Sequence, residues 1–322
     1  MNRILLVDWS NLVHRAYHVT ALKGMTIRRC SGFPTNAVAK SATMLANLIR
    51  FTEPNRVIFG LDGGSDFRRG FYPEYKALRK PKAPELAQQI PVVESFIRDS
   101  GAEYVHQEGQ ECDDLLMSLA TVAKGRAGVE VLIATHDKDY SQVVGDNVTW
   151  LIPITGGWKR CDAATVKEDF GVPPSQMDRY LSLVGDVTDN TPGIEGIGPV
   201  TAVSLLSGEP DDEQLVDLVA NKKNWPRERA ATEMALNFRL IRPNLIAGLK
   251  PQAGNDLPKV LERLEQRNCL DAASIWSQFA EDFGRDAVVR PKVEAHAPEI
   301  PPPAPQVLPP LPRPRQGELT FA

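Results

Sequence analysis

Nine acidic residues fall into five clusters along the 322-residue chain: Asp8, Asp62, Glu111 with Asp113 and Asp114, Asp137 with Asp139, and Asp186 with Asp189. Two carboxylates about 4 Å apart repel each other by ~1 kcal/mol in water and by ~4 kcal/mol at an effective dielectric of about 20. Nine of them around one cleft therefore require cations. Oxygen donors without nearby His or Cys favour Mg²⁺ or Mn²⁺ over zinc, and two such ions can clamp the attacking and leaving oxygens of a phosphodiester.

The elements that would position these acids are buried parallel strands. Short apolar runs that end in an acidic residue alternate with helical periodicity, which is typical of βαβ units: RILLVD (3–8), RVIFGLD (56–62) and VEVLIATHD (129–137). In open α/β sheets, ligands bind at the carboxyl ends of the strands. One Asp after a strand is common because Asp favours turns and caps. Its repetition after three strands favours a shared site for Asp8, Asp62 and Asp137.

The stretch QECDDLLMSLA (110–120) places three acids at the start of a predicted helix. On a regular helix Glu111 and Asp114 lie only about 60° apart, whereas Asp113 lies about 200° from Glu111. We expect Glu111 at or before the N-cap, where non-helical dihedrals can turn it toward the ion that Asp113 faces, and Asp114 directed toward the second ion or its waters. The alternative is that these acids only complement the helix dipole, worth about 0.3 to 1 kcal/mol each.

The net charge of −4 does not by itself suggest nucleic-acid binding, but the charge is unevenly distributed. Residues 66–82 and 221–242 each carry six basic and two acidic side chains, and aromatic residues interleave the first stretch. Such runs can also be plain solvated helix faces. Four widely spaced cysteines favour reduced thiols over a disulfide framework or zinc site. No run approaches the roughly 20 apolar residues of a membrane span, so we expect a cytoplasmic protein without membrane contact.

The second half of the chain has a different pattern. From about residue 171 the strand signal disappears and amphipathic helical segments follow one another to about residue 285. Ten of the 26 prolines lie between Pro291 and Pro314, a composition that favours extended conformations and cannot build a core. We therefore predict a main domain at 1–170, a helical domain at 171–285, and a disordered Pro-rich tail at 286–322.

Five motifs together resemble the 5′ nucleases, or flap endonucleases, which include the 5′ to 3′ exonuclease domain of bacterial DNA polymerase I and the stand-alone exonucleases of bacteriophages. These motifs are LLVDWSNLVHRAYH, FGLDGGSDFRRGFYPEYKALR, QECDDLLMSLA, ATHDKDYSQVV and GDVTDNTPGIEGIGPVTA, in the family's order and spacing. The resemblance covers residues 1 to 285. It implies a parallel-sheet, PIN-like α/β core with a helical arch at about 66–100, followed by an all-helical DNA-binding domain that contains a helix-turn-helix variant.

The same resemblance implies roles for the acids. Asp8, Asp62, Glu111 and Asp113 are similar to ligands of a first metal ion; Asp137, Asp139 and Asp186 are similar to ligands of a second; Asp114 and Asp189 are similar to supporting carboxylates. It further implies two Mg²⁺ ions, for which Mn²⁺ can substitute, and a metal-activated water as nucleophile. The products would carry 5′-phosphate and 3′-hydroxyl ends. Asp137 and Asp186 count among the implied catalytic residues.

Cations and aromatics of the arch base also match the family's pattern. Lys76 and Arg79 resemble the catalytic cations that meet the scissile phosphate, and Tyr75 resembles an aromatic that stacks on the 5′ strand. Arg68 and Arg15 are expected to contact phosphates. For Tyr75, ordinary half-buried packing is an equal alternative.

The glycine-rich stretch TPGIEGIGPVTA resembles a turn that grips duplex backbone. Gly193, Gly196 and Gly198 would permit positive φ and close phosphate approach, and the following helix N-terminus offers amides to a phosphate. In relatives, carbonyls of this turn also hold K⁺. Trp9 departs from the family, where Gly commonly follows the first Asp.

The chain ends in RPRQGELTFA, in which Gln316, Leu319 and Phe321 form a Q-x-x-L-x-F pattern that resembles peptides bound by sliding clamps. A flexible linker would keep the enzyme attached while it searches. A plain apolar end is an equal alternative.

The leading hypothesis is a monomeric, stand-alone, Mg²⁺-dependent nuclease that cuts DNA flaps, nicks and RNA primers during replication or repair, in the nucleoid or in a phage-infected cell. A non-catalytic protein that binds branched DNA is an alternative, and a PIN-like ribonuclease is another. The complete acidic set argues against the former, and the glycine-rich grip after Asp189 against the latter.

Overall fold

The computed structural model describes residues 2–22, 33–99 and 102–252, which contain a six-stranded sheet in the order β3-β2-β1-β4-β5-β6. The strands are β1 (Asn2–Asp8), β2 (Arg56–Gly60), β3 (Glu103–Val105), β4 (Val129–Ala134), β5 (Val148–Ile154) and β6 (Gly157–Cys161). The first five are parallel, and β6 pairs antiparallel with β5. The strands β1, β2 and β4 were predicted from their apolar runs and are confirmed.

The strands β3, β5 and β6 are additions that the periodicity did not predict. The strand β3 has only three residues, too few for a recognisable pattern. The strands β5 and β6 form a hairpin across Thr155 and Gly156, and Gly156 has a φ of 86°. A positive φ in a two-residue connection matches the twist of the flanking strands. The strand β6 is the outermost strand on that side of the sheet.

Ten helices accompany the sheet in the described ranges: α1 (Trp9–Ala21), α2 (Asn36–Thr52), α3 (Asp66–Arg69), α4 (Pro84–Asp99), α5 (Cys112–Ala123), α6 (Ala163–Phe170), α7 (Met177–Val184), α8 (Pro199–Leu206), α9 (Asp212–Lys223) and α10 (Arg227–Ile241). Short 3₁₀ turns occupy Lys138–Val143 and Pro174–Gln176.

Each face of the sheet packs against its own group of helices because the central strands are apolar on both sides. On one face, Leu5 and Val7 of β1 lie in a core with residues of α1, α2 and α4. On the other face, Leu6 of β1 lies in a core that runs from α5 through α7 to α10. The helices that follow residue 171 therefore extend the core beneath the sheet. Helices predicted beyond residue 252, and the Pro-rich tail, lie outside the described residues.

The predicted arch region, about 66–100, contains two helices joined by a segment without regular structure. This segment, residues 70–83, connects α3 to α4. The second helix is fixed to the body by Gln89, whose Oε1 accepts from the amide of Ala37 (2.8 Å) and whose Nε2 donates to Asn36 Oδ1 (3.1 Å). Gln89 is fully buried and holds α4 in place. Residues of α4 form one wall of the cleft described in the next section.

None of the helices in the described ranges combines the length and apolar character that crossing a bilayer requires.

Candidate active site

Asp8 ends β1 and caps helix α1. The backbone amide of Asn11 donates to Asp8 Oδ1 (3.0 Å), and the hydroxyl of Thr135 donates to Oδ2 (3.0 Å). The carboxyl group is only 6% exposed, and burial raises its pKa to about 6. Asp8 is therefore held in one orientation at the carboxyl edge of the sheet.

The strand order places the other strand-end acids beside it. Because β2 and β4 flank β1, Asp62 and Asp137 emerge at the same edge as Asp8. All three line one cleft of about 710 Å³, together with Glu111 and Asp113 from the start of α5. We call Asp8, Asp62, Glu111 and Asp113 the Glu111 half of the site.

The start of α5 shows how Glu111 and Asp113 reach the same cleft. Glu111 is the N-cap residue with extended dihedrals (φ −79°, ψ 149°), and its side chain does not cap the helix. Glu111, Asp113 and Asp114 each offer an oxygen within 4.8 Å of the others. Burial, followed by the charges of Glu111 and Asp114, raises the pKa of Asp113 well above its usual value. Carboxylates held this close repel one another, and a bound cation would reduce the repulsion.

Asp114 points away from the cleft, contrary to the prediction that it reaches toward the second ion. It is fully buried, and its two oxygens accept from Arg68 at 2.7 and 2.9 Å and from the amide of Asn244 at 2.8 Å. A helix directs positions 113 and 114 to different sides, and here one side is the cleft and the other is Arg68. Asp114 is thus the counter-ion of a buried arginine.

Arg68 was predicted to contact phosphate, but the structure buries it at 2% exposure. Its guanidinium also donates to Glu111 (2.7 Å) and to the carbonyl oxygens of Leu240 (2.8 Å) and Arg242 (3.3 Å). With all its donor directions turned inward, Arg68 is unavailable to a substrate. It joins α3 to α5 and to the end of α10.

Tyr75 is also buried, at 3% exposure, so its ring does not offer a stacking surface in this structure. Its hydroxyl lies 3.4 Å from Glu111 Oε1 and 3.3 Å from Asp189 Oδ2, as a donor to these carboxylates. The ammonium of Lys76 lies over the ring, 4.9 Å from its centroid, in a cation–π contact. Tyr75 therefore supports the two carboxylates and the lysine.

Lys76 and Arg79 line the cleft, and each is paired with acids. Lys76 is bound to Glu111 and lies 3.5 Å from Asp189, and these acids outweigh its burial and raise its pKa to about 12. Arg79 is bound to Asp189 and keeps 46% of its side chain exposed. Both cations line the 710 Å³ cleft.

A second cavity, of about 400 Å³, adjoins the first and is lined by Asp137, Asp139, Asp186 and Asp189. We call Asp137, Asp139 and Asp186 the Asp186 half of the site. Burial and then the charge of Asp137 raise the pKa of Asp139 to about 8. Its buried Oδ1 accepts no hydrogen bond from the described part of the chain, and the ammonium of Lys138 lies 3.8 Å from it, beyond hydrogen-bond distance. An unsatisfied buried carboxylate oxygen is costly unless it faces a cation.

Lys138 was not singled out by the sequence analysis, yet its ammonium is bound to Asp186 and lies 3.8 Å from Asp139. Burial would raise the pKa of Asp186, but this ammonium and the amides of Thr188 and Asp189 outweigh it and lower the pKa. The only signal in the sequence is the position of Lys138 between two acids.

Asn11 was also missed. Its side-chain oxygen accepts from the amide of His136 (3.0 Å), and it lines both cavities. Asn11 lies three residues after Asp8, the usual spacing for an amide that donates to an N-cap side chain. This spacing does not indicate that the side chain of Asn11 also contacts His136.

The donor set of the two halves fits hard divalent cations. His14 and Cys112 also line the first cavity and His136 the second, but the described residues whose ligand atoms lie within 4.8 Å of one another are the carboxylates of Glu111, Asp113 and Asp114. Carboxylate oxygens are the ligands that Mg²⁺ and Mn²⁺ prefer. The raised pKa values of Asp8, Asp113 and Asp139 and the unsatisfied Oδ1 of Asp139 indicate carboxylates that lack sufficient positive partners.

The glycine-rich turn differs from its prediction at one position. Gly193 (φ 64°) and Gly196 (φ 75°) have positive φ, whereas Gly198 is extended (φ −92°) and caps helix α8. A Cβ on Gly193 would lie 2.6 Å from the amide nitrogen of Gly185, while one on Gly198 would meet open space. The buried Asn237 fixes the turn, because it accepts from the amide of Gly193 (3.0 Å) and donates to its carbonyl (2.9 Å).

Arg15 is half-buried on α1 and lines neither cavity. Burial lowers the pKa of His136, and the charge of Arg15 lowers it further. Trp9 lines the 710 Å³ cleft; it is 2% exposed and packs edge-on against Phe59, with ring centroids 5.5 Å apart. Gln316, Leu319 and Phe321 lie outside the described residues.

Known proteins share both the sequence and the fold. The family model of the 5′-3′ exonuclease, N-terminal resolvase-like domain, matches residues 3–171. The 5′-3′ exonuclease of Aquifex aeolicus is 34% identical over 254 residues, which cover 75% of this chain and 82% of that protein. DNA polymerase I of Mycobacterium tuberculosis is 32% identical over 279 residues, which cover 82% of this chain and 30% of the polymerase. The chain thus spans less than a third of the polymerase's length.

Solved structures at lower identity share the fold. Bacteriophage T5 5′-exonuclease, in a structure with bound divalent zinc ions, gives a TM-score of 0.59 at 18% identity and covers 88% of this chain and 99% of its own. The catalytic core of Rad2 in complex with DNA substrate gives 0.50 at 14% identity and covers 87% and 91%. The mixed α/β sheet is therefore that of the 5′ nucleases, and the chain belongs to the 5′-3′ exonuclease family.

Proposed function

We propose that the protein is a divalent-ion-dependent, structure-specific 5′ nuclease that hydrolyses phosphodiesters at 5′ flaps and nicks in DNA and at RNA primers annealed to DNA, in replication or repair. The observation that carries this proposal is the meeting of Asp8, Asp62, Asp137, Glu111 and Asp113 in one cleft that also contains Lys76 and Arg79. Carboxylates beside cations suit a phosphate that enters together with metal ions.

The Glu111 half would hold one ion and the Asp186 half a second, with Mg²⁺ as the expected ion and Mn²⁺ as a substitute. Bound ions would supply the charge that activates a water and stabilises the leaving oxygen, giving 5′-phosphate and 3′-hydroxyl products. Of the two cations paired with the acids, Arg79 is the more accessible to an entering phosphate, because nearly half of its side chain is exposed. Lys76 is deeper and bound to Glu111.

Duplex DNA would be gripped by the turn at 193–198 and the N-terminus of α8. Gly198, Pro199 and Val200 are exposed. Because proline carries no N–H, the amides that α8 would offer to a phosphate begin at Val200. Residues 171–252 would then form the duplex-binding part, and K⁺ bound by carbonyls of the turn would be part of the same proposal. Capture of a sliding clamp by Gln316, Leu319 and Phe321, and a monomeric state, also remain proposals.

The test is cleavage by Asp186→Asn compared with wild type and with Asp217→Asn, an exposed acid outside both cavities. Substrates are a 5′-labelled flap, a nicked duplex and an RNA–DNA hybrid, with Mg²⁺ and with EDTA. We expect Asp186→Asn to lose at least about 10² to 10³ in rate and to keep duplex binding, while Asp217→Asn stays at the wild-type rate.

Undiminished turnover by Asp186→Asn would refute the site. Wild-type binding without turnover would favour the non-catalytic alternative. Cutting of single-stranded RNA in preference to duplex substrates would favour the ribonuclease.

A further inference from the structure

One side of the 710 Å³ cleft is not used by the two-ion chemistry. Beyond the acidic residues, the cleft continues between α1 and α4, where Val13, Ile90 and Val93 form an apolar floor. His14 of α1 and two lysines before α4, Lys80 and Lys82, line the same region. We call His14, Lys80 and Lys82, with this floor, the arch-side subsite.

The cations of this subsite differ from those beside the acidic residues. Lys76, Arg79 and Lys138 are each bound to a carboxylate. Lys80 and Lys82 are exposed and form no ion pair within the described ranges. Glu94 is the nearby acid that lines this part of the cleft; burial raises its pKa, while the charges of Arg98, His106 and Lys82 oppose the shift. Two lysines against one carboxylate leave the subsite with an excess of positive charge.

The pKa of His14 reflects its burial and the same positive surroundings. Burial, and then the charges of Lys82, His18 and Arg79, lower its pKa to about 4, while Asp62 opposes the shift. The ring is thus neutral at pH 7 and offers one N–H as a hydrogen-bond donor. A dianionic group would be attracted by the two lysines and could accept this hydrogen bond.

We propose that the arch-side subsite binds the terminal nucleotide of the 5′ strand, with its 5′-phosphate held by His14, Lys80 and Lys82 and its base or sugar on the apolar floor. The proposal rests on the nuclease function above, and it adds a preference for 5′-phosphorylated ends. A terminal phosphate carries a charge of about −1.5 to −2 at pH 7, more than a phosphodiester, which suits the two lysines. The apolar floor suits the remainder of a nucleotide, because apolar and aromatic surfaces accept bases with little sequence preference.

The experiment uses two nicked duplexes that differ only in a 5′-phosphate or 5′-hydroxyl at the nick. The readout is the ratio of kcat/KM for the two substrates. For wild type we expect a ratio of about tenfold in favour of the phosphorylated nick, the effect of one charge-assisted contact. Lys80→Gln with Lys82→Gln should bring the ratio close to one, and His14→Gln should lower it. Lys167→Gln removes an exposed lysine of α6 that lines neither cavity and should keep the wild-type ratio.

Each variant's rate on the 5′-hydroxyl nick serves as its own measure of folding and chemistry. The same duplexes, bound in EDTA and followed by fluorescence anisotropy, test the preference without turnover. A wild-type ratio of one in both measurements would overturn the proposal, as would a wild-type ratio in the double variant.

A third substrate, a flap of several nucleotides with a 5′-hydroxyl, separates the two sources of phosphate. If the double variant loses as much on this flap as on the phosphorylated nick, the subsite binds an internal phosphodiester and the terminal assignment is wrong. If wild type cleaves none of the substrates, the proposed nuclease function fails instead, and the binding measurement still decides on the subsite.

Discussion

In the Glu111 half of the site, the carboxylates come from two strand ends and the start of α5, and a buried arginine from the arch base supports them. In the Asp186 half, Asp137 and Asp139 come from one loop, and the lysine between them in sequence binds Asp186. The supporting cation of the first half is therefore a buried arginine, 2% exposed, whereas that of the second half is a lysine that keeps 27% of its side chain exposed. The two halves should therefore respond differently when their cations are removed.

The largest effect is expected for Arg68→Gln. Arg68 is 2% exposed and is bound by Glu111 and Asp114, so its loss leaves buried carboxylates without a counter-ion. We expect the free energy of unfolding to fall by about 3 to 5 kcal/mol, measured by urea denaturation. The neighbouring exposed Arg69→Gln should change it by less than about 0.5 kcal/mol. Equal effects of the two substitutions would contradict the assigned role of Arg68.

The next effect is the pH dependence of divalent-ion binding. The pKa values of Asp8 and Asp139 are raised to about 6 and about 8, and an ion must displace the protons that these groups hold below those values. Affinity should therefore rise with pH, by about tenfold per unit between pH 6 and 8. Isothermal titration calorimetry in buffers of different ionisation enthalpy will measure the proton release. Asp139→Asn should flatten the slope between pH 7 and 8, and an unchanged slope would exclude Asp139 as its source.

A smaller effect is expected for Lys138→Gln in the Asp186 half. The ammonium of Lys138 binds Asp186, and 27% of the lysine side chain is exposed. The ion pair therefore contributes about 1 kcal/mol or less to the free energy of unfolding. Removing a positive charge that competes for the carboxylates should raise divalent-ion affinity up to about fivefold. The measurement is the increase in Tm with Mg²⁺ relative to EDTA. A smaller increase than in wild type would mean that Lys138 assists ion binding.

The smallest effect is expected for Tyr75→Phe, which keeps the ring and removes the hydroxyl that contacts Glu111 and Asp189. We expect a loss of about 1 kcal/mol of unfolding free energy and a modest loss of cleavage rate. If the tyrosine acts only by stacking on a base, the substitution will leave both quantities unchanged. Tyr72→Phe, on a half-exposed neighbour, serves as the control.

The strand ends show what could be predicted from sequence. An apolar run followed by Asp, repeated three times, was sufficient to bring Asp8, Asp62 and Asp137 to one edge, because parallel strands present their carboxyl ends together. The extended dihedrals of Glu111 were likewise expected from the geometry of a helix start. In contrast, the contacts of Arg68 and Tyr75 with DNA were implied by the family resemblance, with half-buried packing as an equal alternative for Tyr75, and the structure buries both side chains. Whether such side chains face solvent or the core depends on packing partners that the basic, aromatic stretch at 66–82 does not contain.

The sequence by itself determined the alternation of β1, β2 and β4 with helices, the acidic set, and the helices that follow residue 171, since these depend on local periodicity and residue chemistry. Only the tertiary structure decided how those charges are paired. The hydrogen bond from Arg68 to the carbonyl of Leu240 joins residues 172 positions apart. This contact holds the guanidinium of Arg68, together with Asp114, away from the cleft. Such pairing is a property of three-dimensional proximity, because a buried charge takes whichever opposite charge the fold brings near it.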